Sequence, residues 1–335
     1  TSQEVLSKIR LELNYSTVKN IDSLKDRLYT AKTDSILVSD LIKEDLEEKY
    51  TDFSERTRVL KTIDITKNVE DITKKVSIKN TSFNVLISGM DSYGTINKTT
   101  RNDVNMIATV NPNTNKVLLT SIPRDYYVQL HGKTGYKDKL THAGIYGINT
   151  VVQTIEDLFG IDINYYVRVN FTTVESLVNT IGPIEIYSDK AMSLDGCKYV
   201  VGTNTVNGKC ALRFARERHS YVEGDNHRIK NQQEVIKGIF NKLSKSAMVV
   251  TDYTSILDSL DGKFATNMDM KDITAFIKYE LEDITKYEIL DTQVTGTGSM
   301  ELTYSYPHQK LYVMFPSEQS VESAKEYINK ISNEK

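Results

Sequence analysis

No stretch of this chain is apolar for the ~20 residues that a bilayer span requires, and no secretory leader is visible. There is no Gly-x-Ser-x-Gly elbow, no Walker loop and no dinucleotide fingerprint. Those absences set aside serine-hydrolase, P-loop and nicotinamide chemistry. The five histidines show no metal-ligand spacing, and no Cys-x-x-Cys or Cys/His cluster points to zinc. Repeats, low-complexity tracts and flexible Gly/Ser linkers are missing as well. A pI near 6.0 and the lack of a helix-turn-helix pattern argue against a nucleic-acid partner. The chain begins at Thr1 without Met, as expected of a fragment or a processed product.

Cysteine is scarce: Cys197 and Cys210 are the only two. They are either two unrelated reduced thiols or a bridge closing a short loop. The bridge would contribute ~3 kcal/mol in the chain-entropy model, and it is favoured if the protein is extracytoplasmic.

What is present describes an ordinary globular chain of 335 residues, 39% hydrophobic and 26% charged, long enough for two domains. Residues 1–50 read as helices: Val5, Leu6, Ile9 and Leu13, then Leu24 and Leu28, then Leu37, Leu41 and Ile42 fall at helical spacing. Residues 57–66 look strand-like, and a polar, Lys-rich stretch follows. The texture changes near 78–82, which divides the chain into a small, mainly helical accessory domain (1–80) and a larger domain (81–335).

From Phe83 strands alternate with helices. Strands are expected at 83–89, 103–110, 116–122, 165–170 and 311–315, the second and third joined as a hairpin through the Asn-Pro-Asn-Thr-Asn turn. Helices are expected at 148–160 with Gly160 just past the end, at 172–182, from Asn231 onward along a stripe of Ile229, Val235, Ile236, Ile239, Phe240 and Leu243, near 271–285, and at 320–331. This order implies a three-layer α/β/α domain, and the hairpin makes its central sheet mixed.

The densest chemistry lies in Leu212–Gln233. From Lys209 to Lys230 six Lys/Arg face three acids, a net +3 window in a chain of formal charge −3. Read as a strand, the segment would point Arg216 and Arg218 to one face. Read as a helix, its next part would put Arg228 and Gln232 on one face, with Asp225 as a cap. Guanidinium groups grip phosphate oxygens in a two-pronged way that Lys cannot copy. Elsewhere, Asp91, Arg101, Asp103, Arg124 and Asp125 all fall at the ends of the first three strands. If the first and third strands are parallel, all five meet at one sheet edge, where ligands of open α/β sheets bind. Paired carboxylates suit Mg²⁺. Each acid taken singly is more often a turn former or a salt-bridge partner.

The runs ISGMDSYG, TTRNDVNMIATVNP, LLTSIPRDYYV, DKLTHAGIYG and LRFARERHSYVEGDNHRIKNQQ together resemble the LytR–CpsA–Psr family of bacterial cell-wall enzymes, most closely its streptococcal CpsA-type capsule proteins. The resemblance covers about three-quarters of the chain, from residue 83 onward. It implies a phosphotransferase at the cell membrane's outer face. The enzyme would move a glycopolymer, here capsular polysaccharide, from a polyprenyl-diphosphate carrier to peptidoglycan, and its membrane anchor would lie outside this chain. It also implies that Asp91 and Asp103 hold Mg²⁺. Arg101, Arg124, Arg216, Arg218, Arg228 and Gln232 would bind the diphosphate. Asp225 would orient the arginines or assist proton removal. Lys230 departs from the family pattern, in which Arg is frequent at that place. An apolar slot for the polyprenyl tail is a further implication, with Ile87, Ile107, Leu119, Val152, Val169 and Val178 as lining or, for each, plain core. Hydrolysis of the same lipid diphosphate and DNA-binding regulation are the alternatives.

Overall fold

The structure is a computed structural model and describes residues 21–38, 40–61, 71–94, 96, 99–222, 224–245, 256, 259–260, 262–269, 271–274 and 287–335. The chain divides into two compact units, Thr1–Asp71 and Ile72–Lys335. This division lies ahead of the change in sequence texture because Val76 and Ile78 already pack into a cluster of the larger unit.

In the first unit the described elements are helices: α1 (Ile21–Tyr29), α2 (Asp40–Lys49) and α3 (Phe53–Arg56). Leu46 and Phe53 are buried. Tyr29 stacks on Phe53 at 6.3 Å, and Lys49 pairs with Asp22 at 2.6 Å. Residues 57–61 form no strand. The rest of the strand expected at 57–66, and the first helix stripe at Val5–Leu13, lie outside the described residues.

Among the described residues the larger unit has fourteen strands. They are β1 (Phe83–Met90), β2 (Asn102–Asn111), β3 (Lys116–Ile122), β4 (Tyr127–Val128), β5 (Asp138–Lys139), β6 (Tyr165–Val169), β7 (Ile184–Ser188), β8 (Met192–Leu194), β9 (Cys197–Tyr199), β10 (Gly202–Val206), β11 (Ala265–Thr266), β12 (Glu288–Gln293), β13 (Gly296–Leu302) and β14 (Lys310–Pro316). Its described helices are α4 (Ile148–Phe159), α5 (Phe171–Ile181), α6 (Gly208–Arg216), α7 (Asp225–Lys245) and α8 (Glu318–Asn333). Beyond Lys271–Thr274, the helix expected near 271–285 lies outside the described residues.

Among the described residues six strands make the central sheet, in the order β11-β6-β1-β2-β3-β12. β1 and β3 both run antiparallel to β2, so they are parallel to each other, while β6 and β12 pair in parallel at either side. The sheet is mixed, as the hairpin requires. Helices cover both faces. On one, Leu86, Ile107, Leu118 and Ile122 pack against Val151, Val152, Ile155 and Phe159 of α4 and Ala324, Ile328 and Ile331 of α8. On the other, Met106, Val117 and Leu119 meet Ile236 and Phe240 of α7. The opposite side of α7 supplies Val235, Ile239 and Leu243 to a third cluster with α5, α6 and β7. The apolar stripe of α7 is thus split between two cores, which is why it is wide.

Local chemistry explains the element ends. Asn170 starts α5 with a capping box to Thr173. Gly160 ends α4 in the left-handed region at φ 61°, where a Cβ is penalised. Cys197 and Cys210 are bonded, which ties β9 to α6. The six suggested slot residues do not share one lining. Ile107 and Val152 belong to the first cluster, Ile87 and Leu119 to the second and Val178 to the third, while Val169 is half-buried. Their arrangement is that of ordinary core.

Candidate active site

The parallel course of β1 and β3 brings the ends of the first three strands to one edge. β1 closes with a register shift at Gly89/Met90, and Asp91 follows immediately. Asp103 stands at the second residue of β2, and Arg124 lies two residues past β3. Arg124 Nη1 donates to Asp103 Oδ2 at 2.5 Å, and Thr141 Oγ1 donates to Asp103 Oδ1 at 3.1 Å. Arg124 Nε lies 3.7 Å from Asp125 Oδ2, whose other oxygen takes the Lys139 ammonium at 2.8 Å. Asp125 is therefore a tether for Arg124 and Lys139.

The second half of the site comes from α6 and α7. Residues 208–216 form a helix and not the strand expected of ALRFA. The Asn207 side chain accepts from Cys210 N and caps it, and Ala211, Leu212 and Phe214 form a helical apolar face. Arg216 closes that helix. Its guanidinium lies 3.6 Å from Asp91 Oδ1 and 4.1 Å from the centre of the Phe171 ring, which supports it by a cation–π contact. Arg218 does not share a face with Arg216: it stands in the loop beyond the helix, exposed, with its Nε 3.4 Å from His219 Nε2. Arg228, in the first turn of α7, is buried and acts on both Asp91 and Asp103.

Arg101, Arg124, Arg216 and Arg228 therefore surround two carboxylates, a local surplus of two positive charges. The two acids respond in opposite ways. Partial desolvation and the neighbouring Asp103 carboxylate raise the half-exposed Asp91 above the usual carboxylate range, against the pull of Arg216, Arg228 and Arg124. Burial also works to raise Asp103. There Arg124, Arg228 and the Thr141 hydroxyl overcome it and hold the group low. Gln232 is half-buried on α7 and Asp225 is its first residue; the Asp225 side chain lies outside the described ones.

A divalent cation fits this donor set. Two hard carboxylates sit close enough to disfavour each other's charge, and a cation would relieve that. No group of three or more His, Cys, Asp or Glu gathers among the described residues. Asp91 and Asp103 are the residues that would hold such an ion, which would supply positive charge against phosphate oxygens.

One contributor acts through groups that carry no charge to mark them in the sequence. The Asp138–Tyr146 run works from behind the site: Thr141 N donates to Arg124 O at 2.9 Å, and Gly144 N donates to Asn102 Oδ1 at 2.9 Å. A Cβ on Gly144 would lie 2.4 Å from Thr100 O, so only glycine allows this approach. Arg168 is buried in β6 beside Ser88, where burial lowers its pKa.

Comparison with known proteins gives concordant matches. The model of the LytR_cpsA_psr family matches residues 50–326. The polyisoprenyl-teichoic acid–peptidoglycan teichoic acid transferase TagU of Enterococcus faecalis is 32% identical over 255 residues, covering 74% of this chain and 82% of that protein. TagU of Bacillus subtilis is 34% identical over 231 residues, covering 68% and 72%. The crystal structure of B. subtilis TagU superposes with a TM-score of 0.59 at 28% identity, covering 76% of this chain and 99% of that one.

Proposed function

The chain belongs to the LytR_cpsA_psr family, and from that premise we propose that it is a phosphotransferase acting on a lipid-linked glycopolymer. The polymer, capsular polysaccharide in our reading, leaves a polyprenyl-diphosphate carrier and joins peptidoglycan. One observation carries this reading: two carboxylates and four arginines, with a net positive balance, converge at one sheet edge. That is the charge pattern a diphosphate ester needs. The transferase names of the relatives and the bonded Cys197–Cys210 pair, which suits an oxidising compartment, support it.

The chemistry is a displacement at phosphorus. An acceptor hydroxyl oxygen forms a bond to the phosphorus that carries the sugar. The bridging P–O bond breaks, and polyprenyl phosphate departs with the bridging oxygen. Arg124, fixed by Asp103 and Asp125, and Arg216, braced on Phe171, offer planar donors to the non-bridging oxygens. Arg101 and Arg228 add charge where the transition state develops it. Arg218 and Gln232 complete the head-group contacts from the rim. Asp225 orients the arginines or receives the hydroxyl proton. Asp91 and Asp103 would hold Mg²⁺, which would neutralise phosphoryl charge when bound.

In this reading the domain works outside the cell, held at the membrane through a segment outside this chain. Among the described residues no helix is long and apolar enough to cross a membrane.

The test is transfer of a radiolabelled polyprenyl-diphosphate oligosaccharide to purified peptidoglycan. Label should become covalently bound to the wall polymer with the native protein and fall to background with Arg216→Ala. A fully active Arg216→Ala would remove the diphosphate-clamp model. Free oligosaccharide without attachment, with acceptor present, would replace transfer by hydrolysis.

A further inference from the structure

Helix α7 has a second chemical face. Beside the side that carries Arg228, a cleft of about 290 Å³ opens between α7, the end of β7 and the end of β12. That is near the lower end of the ~300–1,000 Å³ of small-molecule sites. The strand order puts it on the same sheet edge as the site above: Asp91 follows β1, Asp103 lies at the start of β2, Arg124 follows β3, and Thr292 and Gln293 end the adjoining β12. His227 and Asn231 line the cleft while their neighbour Arg228 serves the carboxylates. His227 and Arg228 are sequence neighbours, so the two places adjoin at the start of α7.

The lining is ordered and polar. Gln233, 4% exposed, donates its amide to Ser121 Oγ at 3.0 Å and Thr292 O at 3.1 Å. Its carbonyl oxygen remains as an acceptor. His227 is clasped between the Tyr221 ring, centroids 3.4 Å apart, and Asp189, with Nε2 3.4 Å from Oδ1. Asn231 is buried. At the rim the Tyr187 side chain is 55% exposed.

Charge decides what such a lining can take. Lys237 is engaged by both Glu234 and Asp291, so its charge is spent inside the lining. With Lys230 and Asp189 included, two cations face three carboxylates. The anion site next door has the opposite balance. A second phosphate is therefore disfavoured here. Amides and carboxylates beside an open aromatic ring instead suit a neutral polyhydroxyl ligand. The polar groups make paired hydrogen bonds to neighbouring hydroxyls, and the ring covers a sugar's apolar face.

We propose that this cleft is a carbohydrate subsite that seats a sugar ring of one of the two glycans joined in the transfer. The inference rests on the function proposed above. The shared chemistry is that of a pyranose chain, from the peptidoglycan acceptor or from the carried polymer.

The experiment measures binding by the full chain, without lipid donor or turnover. The probes are a peptidoglycan-derived GlcNAc–MurNAc tetrasaccharide and, separately, a capsular tetrasaccharide freed of its lipid. Tyr187→Ala and Asp189→Ala alter exposed side chains and are expected to fold as the native protein does. At least one tetrasaccharide should bind the native protein and lose about tenfold or more in affinity to each variant. Whichever sugar responds identifies the source. Binding of neither sugar, affinities unchanged in both variants, or displacement of the bound sugar by inorganic phosphate would overturn the subsite. A native protein that binds the sugar but transfers nothing would instead overturn the enzymatic reading and leave the subsite standing.

Discussion

Substituting Asp103 and Asp91 by asparagine separates two carboxylates that the sequence made look alike. Asp103 is 12% exposed, bonded to Arg124 at 2.5 Å and close to the buried Arg228. Two unit charges about 4 Å apart interact by ~4 kcal/mol at an effective dielectric of about 20. Removing one partner of a buried pair typically costs about 3–5 kcal/mol. Asparagine keeps the shape and an acceptor, so about 3 kcal/mol is expected for Asp103→Asn. At roughly 2–4 °C per kcal/mol for a unit of this size, Tm should fall by roughly 6–12 °C. Asp91 differs because its side chain is 50% exposed and its pKa is raised. An acid held low adds stability at neutral pH and loses it as pH falls through its folded value. An acid held high costs stability once pH rises from the ordinary carboxylate value through its folded one. Asp91→Asn should thus change stability by no more than ~0.5 kcal/mol, or raise it slightly. Thermal unfolding at pH 7 in Mg²⁺-free buffer reads both. Equal destabilisation by the two substitutions, or a native Tm for Asp103→Asn, would refute the assignment of opposite roles.

Two further outcomes follow from local geometry. Opening the Cys197–Cys210 bridge, by reductant or by replacing both with serine, should cost ~3 kcal/mol, read as a lower unfolding midpoint; an unchanged midpoint would leave the bridge without a stabilising role. Gly144→Ala places a methyl 2.4 Å from Thr100 O and 2.6 Å from Asn102 Oδ1. It should cost ~1–3 kcal/mol and displace Thr141 from Asp103, so transferase activity should fall more steeply than stability does; loss of neither would mean that the backbone yields freely there.

Much of this was legible in the sequence where the signal is local. The turn between β2 and β3, the capped end of α4 and the alternation after Phe83 specified the mixed sheet and its covered faces. Strand direction then sufficed to bring Asp91, Asp103 and Arg124 together. The failures occurred where tertiary context overrides pattern. ALRFARER reads equally as a strand edge or as a helix, and only the Asn207 cap and the packing of Phe214 decide for the helix. That choice moves Arg218 off the face of Arg216 and into the loop. The strand β12 leaves no pattern in the sequence because half-buried edge strands lack clean alternation. The six aliphatic residues suggested for a lipid slot show a related limit: hydrophobicity marks burial but not which core receives the side chain.

The run DKLTHAG shows why a list of charged residues understates the site. Asp138 is fully buried and accepts from Ser305 N at 2.9 Å, from the Ser305 hydroxyl at 2.5 Å and from Lys139 N at 2.8 Å, with His142 Nδ1 at 2.6 Å. Burial works to raise this acid. His142 and Ser305 overcome it and hold the carboxylate below its usual range. Asp138 and His142 bond each other, and Asp138 also binds Ser305. Together they fix the 3₁₀ turn Leu140–Tyr146 against the Thr303–Tyr306 loop, and that turn carries Thr141 to Asp103 and Gly144 to Asn102. Arg124 is thus constrained from two sides: by Asp103 and Asp125 through its guanidinium, and by Thr141 N through its backbone carbonyl. Two-sided fixation removes rotamer freedom before a ligand arrives, so less entropy remains to be lost when an anion is gripped. In this architecture charge selects the ligand, and a brace of neutral contacts behind the charges sets how well they are aimed.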